Sequence, residues 1–137
     1  MAKILIIEDD ALLSRMYQTI FATNNYQVDI ARDGQEGLDK ARSGKPTLIL
    51  LDIMMPKLNG LQVLERLKSD PELKDIPVIV LTNLAGNNDV QTALTLGAVR
   101  YIIKSENRPK QVEEIVRGIL AGYTRNEIPP VGTSPQS

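Results

Sequence analysis

Four short apolar runs punctuate the chain, at residues 4–7, 48–51, 78–81 and 99–103, the last interrupted by Arg100. Each has the length of a β-strand, and most are continuous rather than alternating. Continuous runs suit strands covered on both faces, as in a parallel sheet flanked by helices. Residues 26–31 alternate more and predict an edge strand. Helical spacing fills the gaps between runs. Leu12, Leu13, Met16, Ile20 and Phe21 predict a helix over 11–23 with Asp10 as its N-cap. A weaker pattern over 34–43 is capped by Asp33 and stopped by Gly44, and Leu61, Leu64 and Leu67 mark a third helix ending at Asp70-Pro71. A fourth starts from a cap at Asn87 or Asn88 and stops at Gly97. Val112, Ile115, Val116, Ile119 and Leu120 give the clearest stripe, on a fifth helix from about 109 to 122.

Strand and helix thus alternate five times, which predicts right-handed crossovers and an open parallel α/β sheet with helices on both sides. Residues 1–122 form one domain, in keeping with a chain of 137 residues that can bury a core of its own. Residues 123–137 include Ile128-Pro129-Pro130 and a closing Gly-Thr-Ser-Pro-Gln-Ser. They cannot continue the last helix and read as a disordered tail or the start of a linker.

Composition mainly removes possibilities. A net charge of −1 with interspersed signs leaves no basic field to attract nucleic acid or an anionic membrane. The absence of cysteine excludes disulfides, thiolate metal sites and a cysteine nucleophile. The absence of histidine excludes a Ser-His-Asp triad, histidine-ligated zinc and a phosphohistidine carried on this chain. No apolar run approaches the ~20 residues that span a bilayer. The first run meets Glu8 too soon to be a signal-peptide core, so the cytoplasm is the expected location.

Chemistry must therefore come from carboxylates, hydroxyls, lysines or backbone groups. Ligands of open α/β sheets bind outside the carboxyl ends of the strands. There the first run leads into Glu8-Asp9-Asp10, the third strand ends in Asp52, the fourth in Thr82-Asn83 and the fifth in Lys104-Ser105. Each residue alone has a plain structural explanation: a helix cap for an acid such as Asp10, a strand end for Thr82, a surface position for Lys104. Acids on two strand ends are harder to explain in that way, because close carboxylates repel one another. A hard divalent cation such as Mg²⁺ removes the conflict. A hydroxyl and an ammonium beside the same acids are what phosphoryl transfer needs, since its catalysis is mostly positioning and charge neutralisation. Asp52 is the candidate nucleophile.

At this point the sequence resembles the receiver domains of two-component response regulators, over about residues 3–122, and among them the single-domain chemotaxis and phosphorelay regulators. The resemblance rests on Lys3-Ile4-Leu5-Ile6-Ile7-Glu8-Asp9-Asp10 and on Asp52-Ile53-Met54-Met55-Pro56-Lys57-Leu58-Asn59-Gly60. It rests also on spacings of 43 residues from Asp9 to Asp52, 30 from Asp52 to Thr82 and 52 from Asp52 to Lys104, with Tyr101 at the family's switch-aromatic position. The resemblance implies a flavodoxin-like (βα)5 three-layer sandwich whose sheet order is 2-1-3-4-5. It implies that Asp52 accepts phosphate from a sensor histidine kinase or a histidine phosphotransfer protein. Mg²⁺, with Mn²⁺ able to substitute, would be held by Asp9 and Asp52, by Glu8 through water, and by the Met54 backbone carbonyl. Thr82 and Lys104 would bind the new phosphoryl group, and Thr82 and Tyr101 would form the switch. The implied output is protein contact through the face made by the fourth helix, fifth strand and fifth helix, with no nucleic acid and no membrane. The domain would be a monomer or a weak phosphorylation-linked dimer, and a phosphoacceptor with self-phosphorylation and self-dephosphorylation chemistry rather than an enzyme.

Three positions depart from the pattern. Ser105 replaces a proline usually preceded by a cis bond, and a cis bond before serine costs roughly 3–4 kcal/mol. Asn83 stands where alanine or glycine is usual, and Met54 is an apolar residue at a position that influences dephosphorylation. Other readings fit less well. A haloacid-dehalogenase-type phosphatase needs a second Asp where Met54 stands, and a flavodoxin needs a hydroxyl-rich loop where this chain is acidic. A pseudo-receiver scaffold would lack acceptor, acids or lysine, all of which are present. Output as a stand-alone regulator is expected over the alternative, a receiver excised from a larger multidomain regulator.

Overall fold

The computed structural model describes residues 2–55, 58–83 and 88–122. Its five strands are β1 (Lys3–Ile7), β2 (Gln27–Ala31), β3 (Leu48–Asp52), β4 (Val78–Thr82) and β5 (Arg100–Ile103). The helices are α1 (Ala11–Thr23), α2 (Gly34–Gly44), α3 (Gly60–Ser69), α4 (Asn88–Leu96) and α5 (Pro109–Leu120). All strand pairs are parallel and the sheet order is β2-β1-β3-β4-β5, as expected for the flavodoxin-like fold.

The continuous apolar runs have a simple cause. Alternate residues of each central strand enter different layers. Ile4, Ile6, Leu48, Leu50, Ile79, Leu81 and Ile102 pack with Tyr17 and Phe21 of α1 and Val112 and Val116 of α5. Leu5, Ile7, Ile49, Leu51, Val78 and Val80 pack with residues of α2, α3 and α4. Both faces of β3 and β4 are covered, so every residue in them is buried. β2 is an edge strand and is only partly buried.

Several local expectations change. Tyr26 lies outside β2 and instead sets its ring edge-on to Phe21, with centroids 5.3 Å apart. Gly44 is the last residue of α2 rather than its stop, and the left-handed turn falls on Lys45 at φ 46°. Gly97 does end α4, at φ 116°. Asn88 is the first residue of α4 rather than its cap, and Asn87 lies outside the described residues. So do Met1, Pro56-Lys57 of the motif loop, Gly86, and the segment 123–137 read as tail or linker. The buried face of α1 is Ser14, Tyr17 and Phe21, which leaves Leu12 at 68% and Met16 at 43% exposure. Those two belong to the solvent side because the helix buries positions three and four apart from Ser14, not from Leu12.

No described peptide bond is cis, that between Lys104 and Ser105 included. The chain leaves β5 through a short 3-10 turn at Lys104–Glu106.

Candidate functional site

Strand alternation builds the site. Ile6, Leu50 and Ile102 face the α1–α5 layer, and two positions further along their chains stand Glu8, Asp52 and Lys104. The three side chains meet at the carboxyl end of the sheet. Lys104 Nζ lies 2.7 Å from Glu8 Oε1 and 3.1 Å from Asp52 Oδ2. All three are withdrawn from solvent, with Glu8 1% and Asp52 2% exposed. The second oxygen of each acid is tied to backbone. Asp10 N–H donates to Glu8 Oε2 at 3.1 Å, and Met54 N–H donates to Asp52 Oδ1 at 2.9 Å. Glu8 is itself fixed by its own N–H, which donates to the Ala31 carbonyl at the end of β2.

Asp10 performs the capping role read from the sequence, its Oδ1 accepting from Leu12 N–H and Leu13 N–H. Asp9 is exposed, yet a carboxylate oxygen from each of Glu8, Asp9 and Asp52 falls within 4.8 Å of the others. Burial pushes the Glu8 carboxyl up to about 7, the nearby Asp52 charge adding to the effect and the Lys104 contact opposing it. Burial alone would lower the Lys104 ammonium, but Glu8 and Asp52 more than offset this and hold it above the ordinary lysine value. Glu8 Oε1 meets the Lys104 ammonium in a short charge contact. Three clustered acids against one ammonium, all offering hard oxygens, fit a divalent cation of the Mg²⁺ or Mn²⁺ type.

Thr82 is fully buried at the end of β4. It falls on the other side of the sheet's alternation, with Val78 and Val80. Val80 pairs with Tyr101 and Thr82 with Ile103, so Thr82 and Tyr101 share one face on neighbouring strands. Tyr101 is half-buried against the α2–α4 layer. The structure therefore groups Glu8, Asp9, Asp52 and Lys104 directly, and sets Thr82 and Tyr101 beside them as a second pair. Met54 lies at the rim, its amide on Asp52 and its side chain 52% exposed.

One contributor was missed by sequence reasoning. Gly60 begins α3 pressed against the acceptor strand, where a Cβ would lie 2.3 Å from Ile53 Cα and 2.5 Å from the Asp52 carbonyl oxygen. Its place at the end of the motif was the available signal.

A family model described as the response regulator receiver domain matches residues 4–117. The response regulator ArlR of Staphylococcus haemolyticus is 37% identical over 131 residues, covering 93% of this chain and 57% of that protein. The chain spans about half the length of the curated relatives it matches. The Mn²⁺-bound form of the response regulator Rcp1 is 34% identical with a TM-score of 0.74, covering 89% of this chain and 94% of that one. The chemotaxis protein CheY4 of Vibrio cholerae shares the fold, with a TM-score of 0.81 at 24% identity over 87% of this chain and 98% of that one.

Proposed function

This chain belongs to the family of response regulator receiver domains, and on that premise we propose that Asp52 takes a phosphoryl group from the phosphohistidine of a sensor kinase or phosphotransfer protein. The observation that carries the reading is the pairing of a buried Asp52 with Lys104 Nζ at 3.1 Å, inside a three-acid cluster open on the Asp9 side. An Asp52 carboxylate oxygen attacks phosphorus, the P–N bond to the donor imidazole breaks, and its electron pair returns to the ring nitrogen. Asp9, Asp52 and Glu8 would hold Mg²⁺, with the Met54 carbonyl as the backbone ligand. The ion supplies charge neutralisation for the incoming phosphoryl oxygens. Lys104 covers a further oxygen, and the Thr82 hydroxyl takes another.

The donor protein docks beside the acids, where Leu12, Met16 and Met54 are the exposed large apolar side chains among the described residues. The signal leaves through the α4–β5–α5 face, where Tyr101 turns inward once Thr82 has moved. The domain is a phosphoacceptor rather than a turnover enzyme, and acts in the cytoplasm. No described helix is long and apolar enough to cross a membrane.

Phosphoramidate, which carries the P–N bond of phosphohistidine, tests the reading directly. Phosphorus NMR is expected to show an acyl phosphate that requires Mg²⁺, disappears with a chelator and returns with Mn²⁺. Labelling that is indifferent to chelation would refute the metal assignment.

A further inference from the structure

The sheet ends on one side at β2, which pairs only with β1 among the described residues. Gln27 N–H donates to the Ala2 carbonyl, and the Ala31 carbonyl accepts from Glu8 N–H. Residues 27, 29 and 31 therefore direct their backbone groups to β1, and those of Val28, Ile30 and Arg32 point outward. Such a row is a template for another chain. The flanking helices leave room there. A groove of about 610 Å³ runs beside the edge, between Ser14 and Gln18 of α1 and Glu36 and Lys40 of α2, with Ile30 in its wall.

Side chains fill the outward positions instead. Ile30 N–H donates to Asp29 Oδ1 at 3.0 Å, Lys40 Nζ donates to the Ile30 carbonyl at 2.6 Å, and Arg32 N–H donates to Glu36 Oε1 at 2.8 Å. One ammonium joins the set, since Lys40 Nζ also lies 3.2 Å from both Asp29 Oδ1 and Glu36 Oε2. The bond from Arg32, with Lys40 adding to it, holds the Glu36 carboxyl below its ordinary value, so it is ionised at neutral pH. Ion pairs as exposed as these add little to stability. Their consequence is that backbone groups are occupied. We infer that Asp29, Glu36 and Lys40 form a clasp that shuts the β2 edge against strand pairing with a second copy of this chain. A second copy is the partner because it carries the same edge, and two such edges can meet about a twofold axis, N–H to carbonyl. With the clasp closed, only the outward groups of Val28 are left to an incoming strand, too few bonds to offset the cost of association. The inference is independent of the reaction at Asp52, and it leaves the β5 side, where the proposed output face lies, for contacts between copies.

Lys40→Met keeps an aliphatic stem on α2 and removes the ammonium that joins the clasp. In sedimentation equilibrium of the unphosphorylated chain, this variant is expected to self-associate at least about tenfold more tightly than wild type, the scale of one or two net hydrogen bonds. Amide exchange read by NMR should show Val28, Ile30 and Arg32 gaining protection in the variant as its concentration rises. Arg42→Met is the control for charge. It removes a cation from the same helix, but Arg42 pairs with Asp39 and Asp70 rather than with β2, so this variant should associate no more than wild type. Unchanged self-association of Lys40→Met would overturn the proposal, as would equal association by Arg42→Met. Association that leaves those three amides unprotected, or wild-type protein that already pairs through them, would overturn it as well.

Discussion

At the acid pocket one ammonium serves two buried carboxylates, and it stands where a divalent cation would compete for the same charge. Removing it has a definite sign. Lys104→Met leaves Glu8, Asp9 and Asp52 uncompensated and is expected to tighten Mg²⁺ binding tenfold or more, since a unit charge about 4 Å away is worth roughly 1 kcal/mol in water and roughly 4 kcal/mol at an effective dielectric near 20. The same variant should lose its hold on beryllofluoride, a phosphoryl mimic. Calorimetric titration checks both, and weaker Mg²⁺ binding would contradict the arrangement. Glu8 gives a pH dependence. Its carboxyl sits at about 7 in the fold against an ordinary 4.5, so the folded chain binds this proton more tightly. Its stabilising contribution is complete below pH 4.5 and is lost as the pH rises through 7. With metal chelated, wild-type stability relative to Glu8→Gln should therefore fall across that window, and a flat difference in urea midpoints would contradict it. Met54 offers an apolar side chain that cannot orient an attacking water, so the phosphoryl state is expected to be long-lived. Hydrolysis complete within seconds would be inconsistent with that role.

At the scale of elements, the start of α3 at Gly60 lies close against the backbone at Asp52 and Ile53. Gly60→Ala gains helix propensity but drives a Cβ into Ile53 Cα and the Asp52 carbonyl. The clash is expected to dominate, with a loss of about 2–3 kcal/mol in urea unfolding. A stability equal to wild type would show that the loop relaxes freely. This contact also illustrates what sequence can and cannot reveal. The runs at 4–7, 48–51 and 78–81 disclosed central strands because burial on both faces removes alternation. Asp10 and Asp33 disclosed helix starts because capping is local, and both side chains do accept from the amides that follow them. Helical spacing disclosed α1 but not its buried face, since an apolar side chain at that spacing does not reveal which side meets the sheet, and Leu12 and Met16 are exposed. The turn at Lys45 was hidden by Gly44, the residue that ordinarily takes it. Ser105 suggested difficulty for Lys104, yet an all-trans 3-10 exit from β5 still delivers the ammonium to both acids. The depth of Glu8 had no local signal, because it follows from the Ala31 carbonyl and from Lys104, both distant in sequence.

Across the whole molecule, the sheet separates two assignments by face. Glu8, Asp52 and Lys104 follow the α1–α5 layer, while Thr82 and Tyr101 follow the α2–α4 layer. A phosphoryl group at Asp52 adds about −1.5 to −2 charges and strong acceptor oxygens at the boundary between them. On the proposed route Thr82 would carry that change across, and Tyr101 on the neighbouring edge strand would respond. In wild-type protein, beryllofluoride should therefore shift amide signals in α4, β5 and α5 as well as near Asp52. In Thr82→Ala the shifts should shrink to the surroundings of the acids. Propagation undiminished by the Thr82 substitution would exclude this route. The most direct test of the whole account is intact-mass and peptide mass spectrometry after incubation with acetyl phosphate and Mg²⁺. A gain of one HPO₃ unit, mapped to Asp52 and absent from Asp52→Asn, is the predicted result. No gain, or equal labelling of Asp52→Asn, would contradict it.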